Sequence, residues 1–157
     1  MMKPVEALIK EKKIYQIINP KLVQTHPDVS VKRAIDMMRE SKSGYIVVAE
    51  NGKVVGIFTE TDVIRKILNK DVDWNRSISD FMTKNPYVLN PNDPVGKAID
   101  LMGDNRFYHV PLVDANGNLV NVLSVRTLIR FFAEFYPNEV FNLPPDPSRV
   151  MTSPEGG

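Results

Sequence analysis

The sequence contains one eight-residue stretch twice, as Val31-Lys32-Arg33-Ala34-Ile35-Asp36-Met37-Met38 and, 64 residues later, as Val95-Gly96-Lys97-Ala98-Ile99-Asp100-Leu101-Met102. A spacing this long is not the period of a solenoid; it indicates a duplicated unit that forms two pseudo-symmetric halves. The match continues outward at an offset of 64 or, after one inserted residue, 65, through these pairs: Pro27 and Pro91, Asn51-Gly52 and Asn116-Gly117, Thr59 and Ser124.

The first copy predicts the order strand, helix, strand, strand, helix. Its first helix carries apolar residues at i, i+3, i+4 and i+7, which give one buried stripe, and Asp28 or Ser30 is its expected cap. Two β-rich runs, 45–49 and 54–58, flank Asn51-Gly52, a strong hairpin signal. The remaining expectations are a short strand over 22–24 and a second helix over about 61–69, with Val63, Ile64, Ile67 and Leu68 facing inward.

The second copy predicts the same order. A short strand is expected over 87–89, and Asp93-Pro94 is expected to supply an N-cap and a proline at the first helical position. Strands over 109–113 and 119–123 are joined by a turn that contains Asn116-Gly117. The apolar residues of its two helices are Val95, Ala98, Ile99 and Met102, then Leu128, Phe131, Phe132 and Phe135.

The predicted domain boundaries follow from the repeat. Residues 1–20 form an N-terminal helix and lead-in, with a helix over 4–18 whose Val5, Leu8 and Ile9 share one face. Repeat 1 covers 21–74, a connector 75–85, and repeat 2 86–137. In the connector Ser77 and Asp80 fit a one-turn capping box. The proline-rich tail, 138–157, is expected to be extended or disordered.

Composition excludes several classes of function. The 157 residues include 20 basic and 19 acidic side chains, a net charge of +1, which makes nucleic acid an unlikely partner. The sequence has no cysteine, so it has no disulfide or thiolate metal site, and this fits a reducing cytosol. No apolar run approaches the roughly 20 residues that span a bilayer. The N-terminus is too charged for a secretory signal. A cytoplasmic protein without a membrane partner is expected.

Catalytic signatures are missing from the sequence. No Gly-x-Ser-x-Gly elbow occurs, and neither Gly52-Lys53 nor Gly96-Lys97 is followed by Ser or Thr, so there is no Walker A loop. Only two histidines are present, without the spacing of a zinc site. Glu60 and Asp62 precede a predicted helix and are better explained as caps than as a general acid–base pair. We therefore expect that this chain is not an enzyme, binds no metal ion and requires no cofactor.

The repeats resemble CBS domains, a family named after cystathionine β-synthase. The resemblance is carried by Gly56-Ile57-Phe58-Thr59-Glu60-Thr61-Asp62, which fits the family pattern Gly-apolar-apolar-Thr/Ser-x-x-Asp, and by the strand His109-Val110-Pro111-Leu112-Val113-Asp114. It covers about residues 14–136. It implies an α/β (α+β) fold in which two β-α-β-β-α repeats pack sheet to sheet as one Bateman module, preceded here by the N-terminal helix.

Two explanations fit the Thr59-x-x-Asp62 spacing, and they are compatible. A carboxylate can accept one hydrogen bond from each of the two neighbouring ribose hydroxyls, and such bonds to a charged group contribute roughly 1.5–3 kcal/mol each. The same spacing is also a capping box, in which Thr59 caps the helix and Asp62 reaches back to its amide. By resemblance to nucleotide-binding CBS pairs, Asp62 would hold the ribose, with Thr59 and Thr61 assisting.

The rest of the first cleft is implied by resemblance to the gamma subunit of the AMP-activated kinase. Tyr87 could instead be packing at a strand edge, Arg106 a solvated surface charge, and His109 a structural histidine. The adenine wall would consist of Ile57, Tyr87 and Val88 with Pro111 nearby, and the phosphate ligands would be Arg106 and His109.

The second cleft departs from the family pattern. Ser124 keeps the hydroxyl position, but Thr127 replaces the acid, and one neutral oxygen then stands in place of two charged ones. Loss of a charge-assisted bond of roughly 1.4 kcal/mol lowers affinity about tenfold. We therefore predict one competent site and one weak or empty site. The other wall of the second cleft would be Thr25, Ser43, Gly44 and Tyr45, with Lys42 adjacent.

The function implied is a non-catalytic regulatory module. It would bind AMP, ADP or ATP between the repeats and signal to an unknown partner protein. The sequence does not distinguish these from S-adenosylmethionine or a cyclic dinucleotide. The alternatives are a CBS-pair scaffold without ligand and, more weakly, a nucleic-acid binder. Family members usually form homodimers through helix faces; here the candidate residues, which could equally be intrachain core, are Met37, Met38, Met102 and Phe131–Phe135.

Overall fold

The computed structural model describes residues 5–135 and confirms the duplicated α/β architecture. Short 3-10 turns lie at Ile14–Gln16 and Ile78–Asp80. The helices and strands are α1 (Val5–Glu11), β1 (Gln24–Thr25), α2 (Val31–Ser41), β2 (Tyr45–Glu50), β3 (Lys53–Thr59), α3 (Glu60–Asp62, continued by a π-helix over Val63–Ile67), β4 (Thr83–Lys84), α4 (Val95–Asn105), β5 (His109–Val113), β6 (Leu119–Ser124) and α5 (Val125–Phe135).

The two predicted hairpins form the centre of the two sheets. The first sheet has the order β1-β2-β3-β4, with β1 parallel to β2 and the other pairs antiparallel. The second consists of β5 and β6, and Leu89 forms a single parallel bridge to Leu112. That bridge is equivalent, at offset 64, to the pairing of Thr25 with Val48 in the first sheet. The predicted strands over 22–24 and 87–89 are therefore shifted or reduced to one bridge.

Each repeat has its own apolar core beneath its hairpin. The predicted helix stripes are confirmed: Val31, Ala34 and Met38 are buried in one core, and their counterparts Val95, Ala98 and Met102 in the other. Ser30 caps α2 by accepting from the Arg33 amide at 3.1 Å. In α4 the prediction is wrong by one position. Pro94 is itself the N-cap residue, while Asp93 accepts from the Asn90 amide at 2.9 Å.

The segments that precede the two repeats are exchanged. Ile14, ahead of repeat 1, is fully buried in the core of repeat 2, and its amide donates to the Asp93 carbonyl at 3.0 Å. Ile78, ahead of repeat 2, is fully buried in the core of repeat 1, and its amide donates to the Val29 carbonyl at 2.9 Å. Both pairs fit the 64-residue offset, so the pseudo-symmetry extends into the connector.

This exchange explains why the predicted helix over 4–18 is interrupted. The chain leaves α1 near Lys12 because Lys13 forms an isolated bridge with Pro94, and the 3-10 turn that follows then bonds to repeat 2. Leu8 is buried against Phe131, but Val5 is 48% exposed. In the connector Ser77 caps its turn by accepting from Ser79, whereas Asp80 pairs with Arg76 and does not complete a capping box.

The second helix of repeat 1 differs from its prediction. After Asp62 it continues as a π-helix, with the Leu68 amide donating to the Val63 carbonyl at 2.9 Å. A π turn holds more residues than an α turn, so it rotates the following side chains relative to an α-helical pattern. Ile67 stays buried, but Ile64 is 65% and Leu68 45% exposed, contrary to the predicted inward stripe. The predicted tail, 138–157, lies outside the described residues.

Two contacts join residues at equivalent positions of the two repeats. The rings of Tyr45 and His109, which correspond at offset 64, have centroids 5.0 Å apart. At the turn end of the hairpins, Lys53 and Asn118, which correspond at offset 65, form an isolated antiparallel bridge. Residues related by a two-fold operation contact each other only near its axis. The pseudo-two-fold axis therefore runs between the hairpins from one contact to the other.

Candidate ligand clefts between the repeats

The first candidate site is the turn from β3 into α3. The Thr59 amide donates to Asp62 Oδ2 at 2.9 Å, and Thr59 Oγ1 lies 3.3 Å from the same oxygen. Asp62 is only 6% exposed. The capping-box interpretation is thus confirmed, whereas contact of Asp62 with a ribose stays a prediction.

The other oxygen of Asp62 is held by Lys66. The Lys66 ammonium lies 2.8 Å from Asp62 Oδ1 and donates to the Phe81 carbonyl at 2.6 Å. One lysine therefore ties α3 to the connector. The two residues are four positions apart on the helix, and the Lys66 side chain is 40% exposed. A ribose that takes both carboxylate oxygens must displace this ammonium from Oδ1.

The two predicted clefts share a wall at the pseudo-two-fold axis. Tyr45, predicted for the second cleft, lies opposite Thr59 in the first sheet, and His109, predicted for the first cleft, lies opposite Ser124 in the second. Because Tyr45 and His109 stack, these four residues form one cluster. Burial lowers the pKa of His109 to about 4 and raises the pKa of Tyr45. Both rings are therefore uncharged at neutral pH.

The other residues predicted for the first cleft lie at different depths. Ile57 and Pro111 are buried in their strands and Thr61 is half-buried, whereas Tyr87 is 59% and Val88 41% exposed. The Tyr87 ring packs on Phe107 with centroids 5.6 Å apart, which supports the packing alternative for Tyr87; its contact with an adenine base stays a prediction.

Arg106 lies at the C-terminal end of a helix. It is exposed and ends α4 in the left-handed conformation (φ 56°), three residues before His109, the other predicted phosphate ligand, which begins β5. Lys42 ends α2 in the same conformation, φ 52°. Arg106 and Lys42 thus occupy equivalent positions, each three residues before a ring of the Tyr45–His109 pair, and a role in phosphate binding stays a prediction for Arg106.

In the second cleft the hydroxyl of Ser124 replaces the acid as the helix cap. Ser124 Oγ accepts from the Thr127 amide at 3.2 Å and lies 3.1 Å from Thr127 Oγ1. Thr25 is half-buried in β1. The Gly44 carbonyl accepts from the Glu60 amide, and Ser43 Oγ accepts from the Tyr45 amide. This wall consists mainly of loop groups that are bonded to one another.

An open cleft of about 380 Å³ lies beside Thr127, in repeat 2. It runs between the lead-in segment and α5. The sequence prediction favoured the first cleft, where Lys66 now lies against Asp62. Sequence reasoning missed Lys66, which the i, i+4 spacing to Asp62 could have revealed. It also missed the cations that line the cleft with Thr127, Lys12 and Arg130, because only the fold brings these distant residues together. The lining residues are Lys12, Gln16, Ile17, Ile18, Asn19, Pro20, Thr127, Arg130, Phe131, Glu134 and Phe135.

Across residues 5–135 no three His, Asp or Glu side chains are grouped so that they could hold a metal ion. Within the same residues no helix is long and apolar enough to cross a membrane. The groups that these clefts offer to a ligand are hydrogen-bonding side chains, the aromatic rings of Tyr45 and His109, and cations such as Lys66 and Arg130.

Known proteins resemble this chain over the duplicated part. The model of the CBS domain matches residues 14–69 and again 78–134, and the two starts are separated by the same 64 residues as the internal repeat. A protein of Acidianus ambivalens, described as an uncharacterized 17.7 kDa protein in the bps2 3′ region, is 34% identical over 119 residues, which cover 75% of this chain and 71% of that one. Inosine-5′-monophosphate dehydrogenase of Aquifex aeolicus is 32% identical over 132 residues, but these are 83% of this chain and only 26% of the enzyme.

Solved structures share the fold. A conserved protein from Pyrococcus horikoshii superposes with a TM-score of 0.71 at 28% identity, covering 78% of this chain and 92% of that one. A CBS domain protein from Pyrobaculum aerophilum, complexed with AMP, gives 0.70 at 22% identity, with 74% and 90% covered. A CBS domain pair in complex with 5′-methylthioadenosine and S-adenosyl-L-methionine also gives 0.70 at 22% identity, with 77% and 99% covered. The duplicated sequence, the two matched domains and the shared fold show that this chain belongs to the CBS-domain family, as a tandem pair of CBS domains.

Proposed function

We propose that this chain is a non-catalytic regulatory module that binds an adenine nucleotide, AMP, ADP or ATP, in the cleft between its repeats. The observation that carries the proposal is the state of Asp62. One carboxylate oxygen is fixed by the Thr59 backbone, and the other is held only by a lysine whose side chain is 40% exposed. A ribose diol can exchange with such a lysine because both offer donors to the same oxygen. Similarly folded proteins in complex with AMP or S-adenosyl-L-methionine support the choice of ligand class.

Output would pass through a partner protein. A ligand shifts the balance between two arrangements only by its difference in affinity for them. Displacement of Lys66 would provide such a difference, because Lys66 also bonds to the Phe81 carbonyl of the connector. A change in the first cleft would thereby reach the segment that joins the repeats. We propose that this chain acts in the cytoplasm, on a partner that is still to be identified.

A homodimer is part of the proposal, with Phe135 kept from the candidate residues and Ile64 and Ile129 added. Met38, Met102 and Phe131 are buried within the chain, and Met37 packs against the core of repeat 1, so the intrachain alternative holds for them. Exposed apolar side chains lie instead on the last helix of each repeat. They are Ile64 and Ile129, which are equivalent at offset 65, together with Phe135. Matching apolar positions on both repeats suit a symmetric contact.

The scaffold alternative is favoured by one observation, the burial of Asp62 in contacts with its own helix. Calorimetry and melting curves with AMP, ADP, ATP, S-adenosylmethionine and a cyclic dinucleotide separate the two functions. A nucleotide at 100 times its Kd should stabilise the fold by about 2.7 kcal/mol. Absence of binding and of any melting shift across the panel would establish the scaffold.

The variant Asp62→Asn tests the site itself. Asparagine keeps an oxygen for the Thr59 amide but removes the charge, so the fold should persist while nucleotide affinity drops at least about tenfold. Asp71→Asn, on an exposed carboxylate in the following loop, is the matched control and should bind as the wild type does. Equal affinity in the two variants would remove Asp62 from the binding site.

A further inference from the structure

Lys66 is a feature of the first cleft that the second lacks. The equivalent residue of repeat 2, at offset 65, is Phe131, which is 6% exposed and packs against Leu8. Among the described residues, the helix of repeat 2 begins from Ser124 and Thr127 without an ion pair. The fold of a repeat thus does not require a cation at this position, so Lys66 is an addition specific to the cleft that contains Asp62.

The charges around Asp62 restrict what can replace Lys66. The side chain of Asp62 is 9% exposed, and its only ion-pair partner among the described residues is Lys66. The second contact of Lys66 is the neutral Phe81 carbonyl, which does not neutralise the ammonium. When a ribose takes Oδ1, the ammonium must find another anion close by or return to water. A buried or half-buried charge that loses its partner is destabilised.

Adenine ligands differ in what they offer to the displaced ammonium. A nucleotide brings a 5′-phosphate on the ribose that occupies Oδ1, and the long, flexible lysine stem can follow it. Adenosine brings the same ribose and base but no anion. S-adenosylmethionine brings a sulfonium on the same 5′ carbon, which places a cation beside the ammonium. Three ligands that are alike at Asp62 thus differ at Lys66.

We infer that Lys66 determines the ligand specificity of the first cleft, favouring adenine nucleotides with a 5′-phosphate over the neutral nucleoside and over cationic S-adenosyl ligands. The inference rests on the proposed function, since it concerns the same cleft. Its physical basis is that the ion pair with Asp62 is exchanged for an ion pair with phosphate, so binding of a nucleotide leaves no charge unpaired on the lysine.

The test is calorimetric titration of the full chain with AMP, adenosine and S-adenosylmethionine. Lys66→Gln keeps a donor for Asp62 and the Phe81 carbonyl without the charge, and Lys66→Met keeps only the apolar stem. Both should lower the ratio of AMP affinity to adenosine affinity about tenfold, because one charge-assisted bond to phosphate is lost, and both should improve S-adenosylmethionine relative to AMP. Arg65→Gln, an exposed neighbour on the same helix, should leave the ratio unchanged.

The outcomes separate this inference from the proposed function. If the wild type binds none of the three ligands and neither ADP nor ATP, the proposed function fails and the inference falls with it. If AMP binds but the AMP-to-adenosine ratio is the same in the wild type and Lys66→Gln, the inference fails and the proposed function stands. An equal fall of the ratio in Arg65→Gln also overturns the inference, since the effect would then come from the loss of any positive charge on this helix. Should Lys66→Met not fold in melting curves, Lys66→Gln decides.

Discussion

Asp62 and Thr127 stand at equivalent positions of the two repeats, yet they impose opposite requirements on their surroundings. A carboxylate that is 6% exposed needs both hydrogen bonds and a cation, and it obtains them from Thr59 and Lys66. A threonine hydroxyl needs neither, and Ser124 satisfies it. The same frame therefore yields a carboxylate held by a lysine in repeat 1 and a neutral hydroxyl at the equivalent position of repeat 2.

His109 provides a prediction about pH at the scale of one residue. Burial lowers its pKa from 6.5 to about 4. Between these values the unfolded chain holds more protons than the folded one, so stability is full above pH 6.5 and is lost as the pH falls toward 4. The loss attributable to this residue should be roughly 1–3 kcal/mol.

Urea unfolding of the wild type and His109→Phe at pH 7.5, 6.0 and 5.0 isolates that contribution. Phenylalanine keeps a ring against Tyr45 but does not titrate, while the carboxylates of both proteins titrate alike. The difference in unfolding free energy between the two proteins should shift toward the variant as the pH is lowered. A difference that is constant with pH would mean that His109 is protonated in the folded state as readily as in the unfolded one.

Elements whose pattern is local could be predicted from the sequence. The stripes of α2 and α4 follow from a 3.6-residue period, and the first hairpin from Asn51-Gly52, where both residues have positive φ. The π turn after Asp62 and the bond from Lys66 to the Phe81 carbonyl could not, because no local pattern marks the π turn and the bond joins residues 15 positions apart. In the candidate site, the sequence predicts the capping box of Thr59 and Asp62 as one alternative, but it does not predict the ion pair of Asp62 with Lys66.

Two glycines in these elements should respond oppositely to substitution by alanine. Gly52 has φ +79° in the turn between β2 and β3, where a side chain costs roughly 1–2 kcal/mol. Gly103 lies within α4, is exposed, and an added Cβ would meet no atom within 4 Å. Alanine there should raise the unfolding free energy by about 0.5–1 kcal/mol. Urea unfolding measures both, and the same sign for the two variants would contradict the turn geometry or the helix.

At the scale of the molecule, the exchange of Ile14 and Ile78 makes each repeat depend on a segment outside it. A repeat cut at the boundaries predicted from the sequence, 21–74 or 86–137, would lack the isoleucine that completes its core. The family model instead matches from 14 and 78, which are these two isoleucines. The sequence does not reveal this exchange, because Ile14 contacts the core of a repeat that begins some 70 residues later in the chain. Each repeat is thus expected to lose stability when the segment that precedes the other repeat is altered.

Hydrogen exchange on Ile14→Ala and Ile78→Ala can test this exchange directly. Each variant opens a cavity in a fully packed core and should lose about 2–5 kcal/mol. If the segments are exchanged, Ile78→Ala, a change in the connector, should deprotect β2 and β3 first, because Ile78 lies in their core. Ile14→Ala, near the N-terminus, should deprotect β5 and β6 first. Faster exchange in the repeat that directly follows the substituted residue would contradict the exchange. It would mean that each preceding segment packs in the core of its own repeat, and the equivalence drawn between the two clefts would then be wrong.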